Sequence, residues 1–139
     1  MKGREMLLKG RGLSGSAGEG PALVSSEPIS FFGGVDPPTG LIIESGHPLN
    51  GRSISGKVLV FPHGKGSTVG AYTLYWMSKL GTAPAAIINI EADHVVIVGC
   101  IISNIPLVDH LLINPLEVIR DGDYVYVDGA AGRVKVVRA

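Results

Sequence analysis

No apolar run in this 139-residue chain goes far before a glycine, a proline or a charge interrupts it. Twenty glycines and nine prolines punctuate short segments rich in Val, Ile and Leu: EMLLKG, PALVSS, GLIIES, KVLVFP, AAIINI, HVVIVGCII, DYVYVDG and RVKVVRA. Segments this short and this β-branched read as strands bounded by turns. One stretch reads as a full helix, from Thr68 to Leu80, and it ends at Gly81, where a helix is easily closed. Its apolar residues Val69, Ala71, Tyr72, Leu74, Tyr75, Trp76, Met77 and Leu80 cover most of the circumference, which predicts a largely buried helix. IPLVDHLLI, residues 105–113, reads as a short second helix or turn, and RDGDYVYVDGAAGRVKVV as a closing hairpin. Many strands and few helices predict a β-rich α/β chain, either a compact barrel or a layered β/β/α domain. The length suits one domain over residues 1–139, with no repeat or linker to divide it.

Charge narrows the function classes. Formal net charge is zero, so there is no basic footprint for nucleic acid and no acidic tail. Charged residues are only 17% against 45% hydrophobic, a balance that predicts a surface partly covered by a partner. The N-terminal apolar run is too short for a signal peptide, and no run is long enough to span a bilayer, so a cytoplasmic protein is expected. The single cysteine, Cys100, excludes an internal disulfide and a cysteine-built metal site, and its strand-like surroundings predict a buried structural thiol.

Several motifs divide between chemistry and architecture. GRGLSG, residues 10–15, has the form G-x-G-x-x-G, but no helix can start in the SAGEGP that follows, so an exposed flexible loop is expected rather than a dinucleotide site. GKGST, residues 64–68, is not a phosphate-binding P-loop, because Gly66 separates Lys65 from Ser67 and position 59 is Leu. The turn still joins a strand to a helix. Gly64 and Gly66 let backbone come close to a ligand, and Lys65 and the helix end favour an anion. Ser67 is either a plain N-cap or a reacting group; Gly70 stands where a capping box would place Glu or Gln. The four histidines (His47, His63, His94, His110) show no metal-binding spacing, although His63 flanks the turn. EADH, residues 91–94, reads as a polar turn between two strands rather than a metal site. ISFFGGVDPPTGLI, residues 29–42, is either a tight turn beside a hydrophobic staple or a loop that shapes a site.

SFFGGVDPPTG, GKGSTVGAY and GCIISNIPLVD together resemble the swivel-domain subunit of aconitase X proteins, over residues 5–137. The resemblance implies a swivelling β/β/α domain like the fourth domain of aconitases. It implies that Ser67 is the base of a hydro-lyase, matching the Gly-x-Gly-Ser-Ser turn of those domains at Gly64, Gly66 and Ser67, with Thr68 for the second serine. Gly64, Lys65, Gly66 and Thr68 are then the substrate-binding neighbours. The implied reaction is loss of water from 5-phosphomevalonate in isoprenoid synthesis; the same family chemistry on hydroxyproline is the alternative. The implied cofactor is a 4Fe–4S cluster carried by a large partner subunit, in a heterodimer or a multiple of it, because one cysteine cannot anchor a cluster. The sequence departs from the aconitase pattern after the serine, where Val69 and Gly70 replace a carboxylate-binding arginine. That contact falls to Lys65, backbone amides or the large subunit. Two other classes are weaker. A phosphohistidine carrier needs a histidine at the start of the helix, and none stands there; a non-catalytic binding domain would make Ser67 only a cap.

Overall fold

Both faces of the central strands are apolar, and that dictates the layers. In Val58–Phe61 all four residues are buried; Val58 and Val60 face one core, Leu59 and Phe61 the other. A strand buried on both faces needs cover on both faces.

The computed structural model describes residues 4–138. In chain order the elements are β1 (Arg4–Lys9), β2 (Arg11–Ser14), β3 (Ala17–Val24), a helical turn α1 (Phe31–Gly34), β4 (Val35–Asp36), β5 (Leu41–Ile42), β6 (Val58–Phe61), α2 (Val69–Leu80), β7 (Ala86–Asn89), α3 (His94–Ser103), β8 (Leu107–Asp109), α4 (Pro115–Val118), β9 (Tyr124–Asp128) and β10 (Arg133–Arg138). Eight strands form one sheet in the order β1-β10-β9-β3-β6-β7-β8-β2, and β4 pairs with β5 apart from it. β3, β6, β7 and β8 run parallel; the remaining pairs are antiparallel, including the β9–β10 hairpin expected from the sequence.

The two edge strands, β1 and β2, are separated in the chain by Gly10 alone. The sheet therefore rolls until its edges meet. The Gly10 N–H donates to the Gly132 carbonyl at 2.8 Å, and a Cβ on Gly12 or Gly129 would collide with backbone of the facing segment. These glycines permit a backbone crossing. GRGLSG is thus no flexible loop: Arg11–Ser14 is strand β2, paired with β8.

Inside the roll lie Leu8, Ala22, Val58, Val60, Ala86, Ile88, Val108, Val125, Val127, Val134 and Val136. The outer face of β6, β7 and β8 is covered by α2 and α3, through Leu59, Phe61, Ile87 and Leu107 against Leu74, Met77, Val96 and Cys100. The helices pack closely because Gly99 faces Leu74 and the Ala71 backbone, where a Cβ would stand 2.7 Å from Leu74 Cδ1. The result is a layered, β-rich α/β domain with a barrel-like sheet.

Three local expectations change. HVVIVGCIIS is helix α3, not a strand, and Cys100 lies buried within it, its thiol pushed up by burial. Within IPLVDHLLI, Leu107–Asp109 is strand β8, not a helix. α2 runs from Val69 to Leu80 and closes on left-handed Gly81 as expected, but it is only half-buried: Tyr72 is 71% exposed and Trp76 52%. None of the described helices is long and apolar enough to cross a membrane.

Candidate functional site

Loops that leave the carboxyl ends of neighbouring parallel strands converge, and in sheets with helical crossovers ligands bind there. Three such loops meet here: Ser25–Ser30 after β3, Pro62–Thr68 after β6 and Ile90–Asp93 after β7. Gly64 sits at the junction. It forms a parallel bridge with Ile29, with the Lys65 N–H donating to the Ile29 carbonyl at 3.1 Å. On its other side the Gly64 N–H donates to Asp93 Oδ1 at 2.8 Å. A Cβ on Gly64 would lie 2.8 Å from that oxygen and from Val96 Cγ2, so only glycine fits without displacement.

The chain then turns sharply. Gly66 has φ +88°, in the left-handed region, and its missing Cβ would stand 2.7 Å from Ser30 Oγ. Ser67 follows, exposed, with Oγ accepting the Val69 N–H at 3.1 Å. Thr68 already has right-handed helical angles and makes no side-chain cap, so Ser67 does the capping expected of it from one residue further out. The N–H groups of Gly66, Ser67 and Thr68 have no acceptor among the described residues. Three consecutive free amides at the positive end of a twelve-residue helix, with no acidic residue in its first turn, make a cradle for negative charge.

The sequence-selected residues Gly64, Lys65, Gly66, Ser67 and Thr68 therefore share one turn, and only Gly64 is buried. Lys65 is engaged: its Nζ lies 2.8 Å from Glu44 Oε2. His63 Nδ1–H donates to the Gly64 carbonyl at 2.6 Å, so its ring braces the turn. SFFGGVDPPTG borders the site on the far side. Phe31, Phe32, Gly33 and Pro37 form one wall of a groove of about 570 Å³ whose other wall is Val69, Tyr72 and Trp76 of α2. Asp36 is the one charged residue lining it.

Sequence reasoning missed Asp93, Ser30 and Glu44. An aspartate just before a long apolar run is a helix-start signal, but it was masked because that run reads as a strand. Ser30 and Glu44 reach the turn only through tertiary packing. EADH leads from β7 into α3, with Asp93 capping the helix and His94 its first residue, rather than joining two strands, and among the described residues no group of three or more His, Cys, Asp or Glu side chains could hold a metal ion.

Comparison with known proteins gives a consistent picture. The family model described as the aconitase X swivel domain matches residues 7–136. A Methanocella arvoryzae protein named phosphomevalonate dehydratase small subunit is 56% identical over 131 residues, covering 94% of this chain and 99% of its own length. A Methanosarcina acetivorans protein of the same name is 55% identical, over 94% of this chain and 91% of its own. The crystal structure of holo-form aconitase X from Thermococcus kodakaraensis superposes with a TM-score of 0.89 at 46% identity, over 94% of this chain and 98% of that chain.

Proposed function

Because this chain belongs to the aconitase X swivel-domain family, we propose that it is the small subunit of a cytoplasmic hydro-lyase that dehydrates 5-phosphomevalonate, with Ser67 as the base. The observation that carries the chemistry is the Ser67 turn, an exposed hydroxyl on free backbone amides at the start of α2.

Ionised Ser67 Oγ takes a proton from C2 of 5-phosphomevalonate, the C2–H electron pair forms the C2=C3 double bond, and the C3–O bond breaks to release hydroxide; Ser67 then gives up the proton it took, so that the net products are the alkene and one water. The product is trans-anhydromevalonate 5-phosphate. A serine hydroxyl is a weak base, so its ionised form needs stabilisation. The Val69 N–H at 3.1 Å and the α2 N-terminus supply it, most strongly when a partner excludes water. The amides of Gly66, Ser67 and Thr68 hold the substrate carboxylate where the aconitase arginine is missing. Lys65 adds charge once it leaves Glu44.

The residues of this chain do not fit an iron–sulfur cluster. Cys100 is its one cysteine, buried in α3, and no other metal-binding group occurs among the described residues. The cluster implied by the family belongs to the large subunit. That subunit closes over Ser67 and covers the apolar face of α2 beside it.

The test is anaerobic water loss from 5-phosphomevalonate by this chain with its large subunit. Ser67→Ala is expected to lower kcat at least about 100-fold, the range of a lost general base, while removing only a cap bond of about 1 kcal/mol. Activity surviving in Ser67→Ala reduces Ser67 to a cap. An intact complex active only on hydroxyproline overturns the substrate.

A further inference from the structure

We infer that Asp93 is a positioning residue for this reaction: through Gly64 its carboxylate sets where the serine turn stands. The inference rests on Ser67 being the base.

Asp93 carries two bonds that belong to different elements. Oδ2 accepts the Val95 N–H at 3.3 Å, the ordinary cap of α3. Oδ1 accepts the Gly64 N–H at 2.8 Å, across 29 residues of sequence. A helix cap needs only the first. The second ties the loop after β7 to the loop after β6, and it is the shorter.

Gly64 is held by Asp93 through its own N–H and by Ile29 through its neighbours, the His63 carbonyl accepting the Ile29 N–H at 3.3 Å and the Lys65 N–H donating to the Ile29 carbonyl at 3.1 Å. From Lys65 to Thr68 the chain is exposed, and left-handed Gly66 lies between the anchor and Ser67. Beyond Ser67, the next fixed point is the first turn of α2, where the Gly70 N–H donates to the Ser67 carbonyl at 2.9 Å. The hydroxyl thus hangs between two anchors, and Asp93 is half of one. The fit at the anchor is close: a Cβ on Gly64 would stand 2.8 Å from Asp93 Oδ1 and 3.2 Å from Oδ2. Without an acceptor, the buried Gly64 N–H would pull the turn toward water. A displacement of about 1 Å at a reacting group can lower turnover about 100-fold.

The variants separate this role from capping. Asparagine has one acceptor oxygen where aspartate uses two, so it can take the Gly64 N–H or the Val95 N–H but not both. Serine caps a helix as well as aspartate but is one bond too short to reach Gly64. Alanine removes both bonds. In the assembled complex, Asp93→Ser and Asp93→Ala are expected to lose about 30-fold in kcat with KM within about threefold, the pattern of a mis-set reacting group, with Asp93→Asn, which can keep one of the two bonds, between them and wild type. Asp93→Ser should melt nearer wild type than Asp93→Ala, because it keeps the α3 cap. Hydrogen exchange of the same complexes supplies a readout independent of substrate: residues 62–68 should exchange faster in Asp93→Ser, with the start of α3 still protected. Wild-type kcat and wild-type exchange in Asp93→Ser would leave Asp93 a cap and overturn the inference. Inactive wild type would overturn the substrate reading instead, and exchange in residues 62–68 would still decide the anchor.

Discussion

The ion pair between Arg11 and Asp109 shows what one residue can demand of its surroundings. The Asp109 side chain is fully buried at the end of β8. Burial pushes its carboxyl up. The Arg11 guanidinium, at 2.9 and 2.8 Å, and the Ala92 N–H, at 2.9 Å, outweigh that and hold it below the usual carboxylate range. A depressed folded-state value stabilises the fold above the unfolded carboxylate pKa of about 3.9, and the benefit is lost as pH falls through the lower folded value. Arg11→Gln removes the main compensation, so burial should then raise the Asp109 carboxyl above its unfolded value. The sign reverses: the variant loses stability as pH rises through that raised value. Melting curves should show the largest Tm gap from wild type near neutral pH, narrowing toward about pH 4 and closing only below it, as the wild-type carboxylate protonates. A gap that does not change with pH would mean that Arg11 acts through packing. Nothing at the level of sequence points to this pair, because Arg11 sits in a glycine-rich motif that reads as a loop. Ser67, Gly64 and Gly66 were legible for the opposite reason: a strand, a glycine turn and a helix follow each other within one local stretch.

Among the elements, α3 and α2 show where local pattern stops being informative. HVVIVGCIIS is apolar throughout and β-branched, so its composition favours a strand. It is a helix because β7 and β8 are parallel neighbours and need a crossover, and because Asp93 caps its start and left-handed Asn104 its end. α2 was legible in position and end point, but not in exposure. An all-round apolar helix predicts burial on every side, and the domain covers only one. Its Gly70, Ala71, Leu74 and Met77 are inside, while Val69, Tyr72, Tyr75 and Trp76 stay outside beside the Ser67 turn. Aromatic residues at the centre of an interface often supply most of its energy. Replacing both Tyr72 and Trp76 with serine should therefore weaken binding to the large subunit by about 30-fold or more, with the Tm of this chain almost unchanged. Titration calorimetry against the large subunit decides it. Unaltered affinity would move the interface off this face.

At the scale of the whole molecule, the rolled sheet separates stability from chemistry. Its interior is closed by β1, β9 and β10 and filled with valine, leucine, isoleucine and alanine. The parallel strands β3, β6 and β7 instead deliver their loops to one edge, where glycine, serine and aspartate meet. That edge carries Ser67, the proposed base, and three free amides, but no ligand set for a metal among the described residues. On the proposed function it is half of a dehydration site, and the other half comes on the large subunit. The consequence is quantitative. This chain alone should fold with a single cooperative transition and release no water from 5-phosphomevalonate. Added to a fixed amount of large subunit, it should raise activity linearly and then saturate at a fixed ratio. Reconstitution with iron and sulfide should give cluster absorbance in the large subunit and none here. Chelating or oxidising the iron should abolish turnover in the complex while the Tm of this chain stays where it was. Iron retained by the isolated chain, or turnover without the large subunit, would overturn this division, because a single buried thiol provides neither the number of thiolates nor the access that a cluster requires.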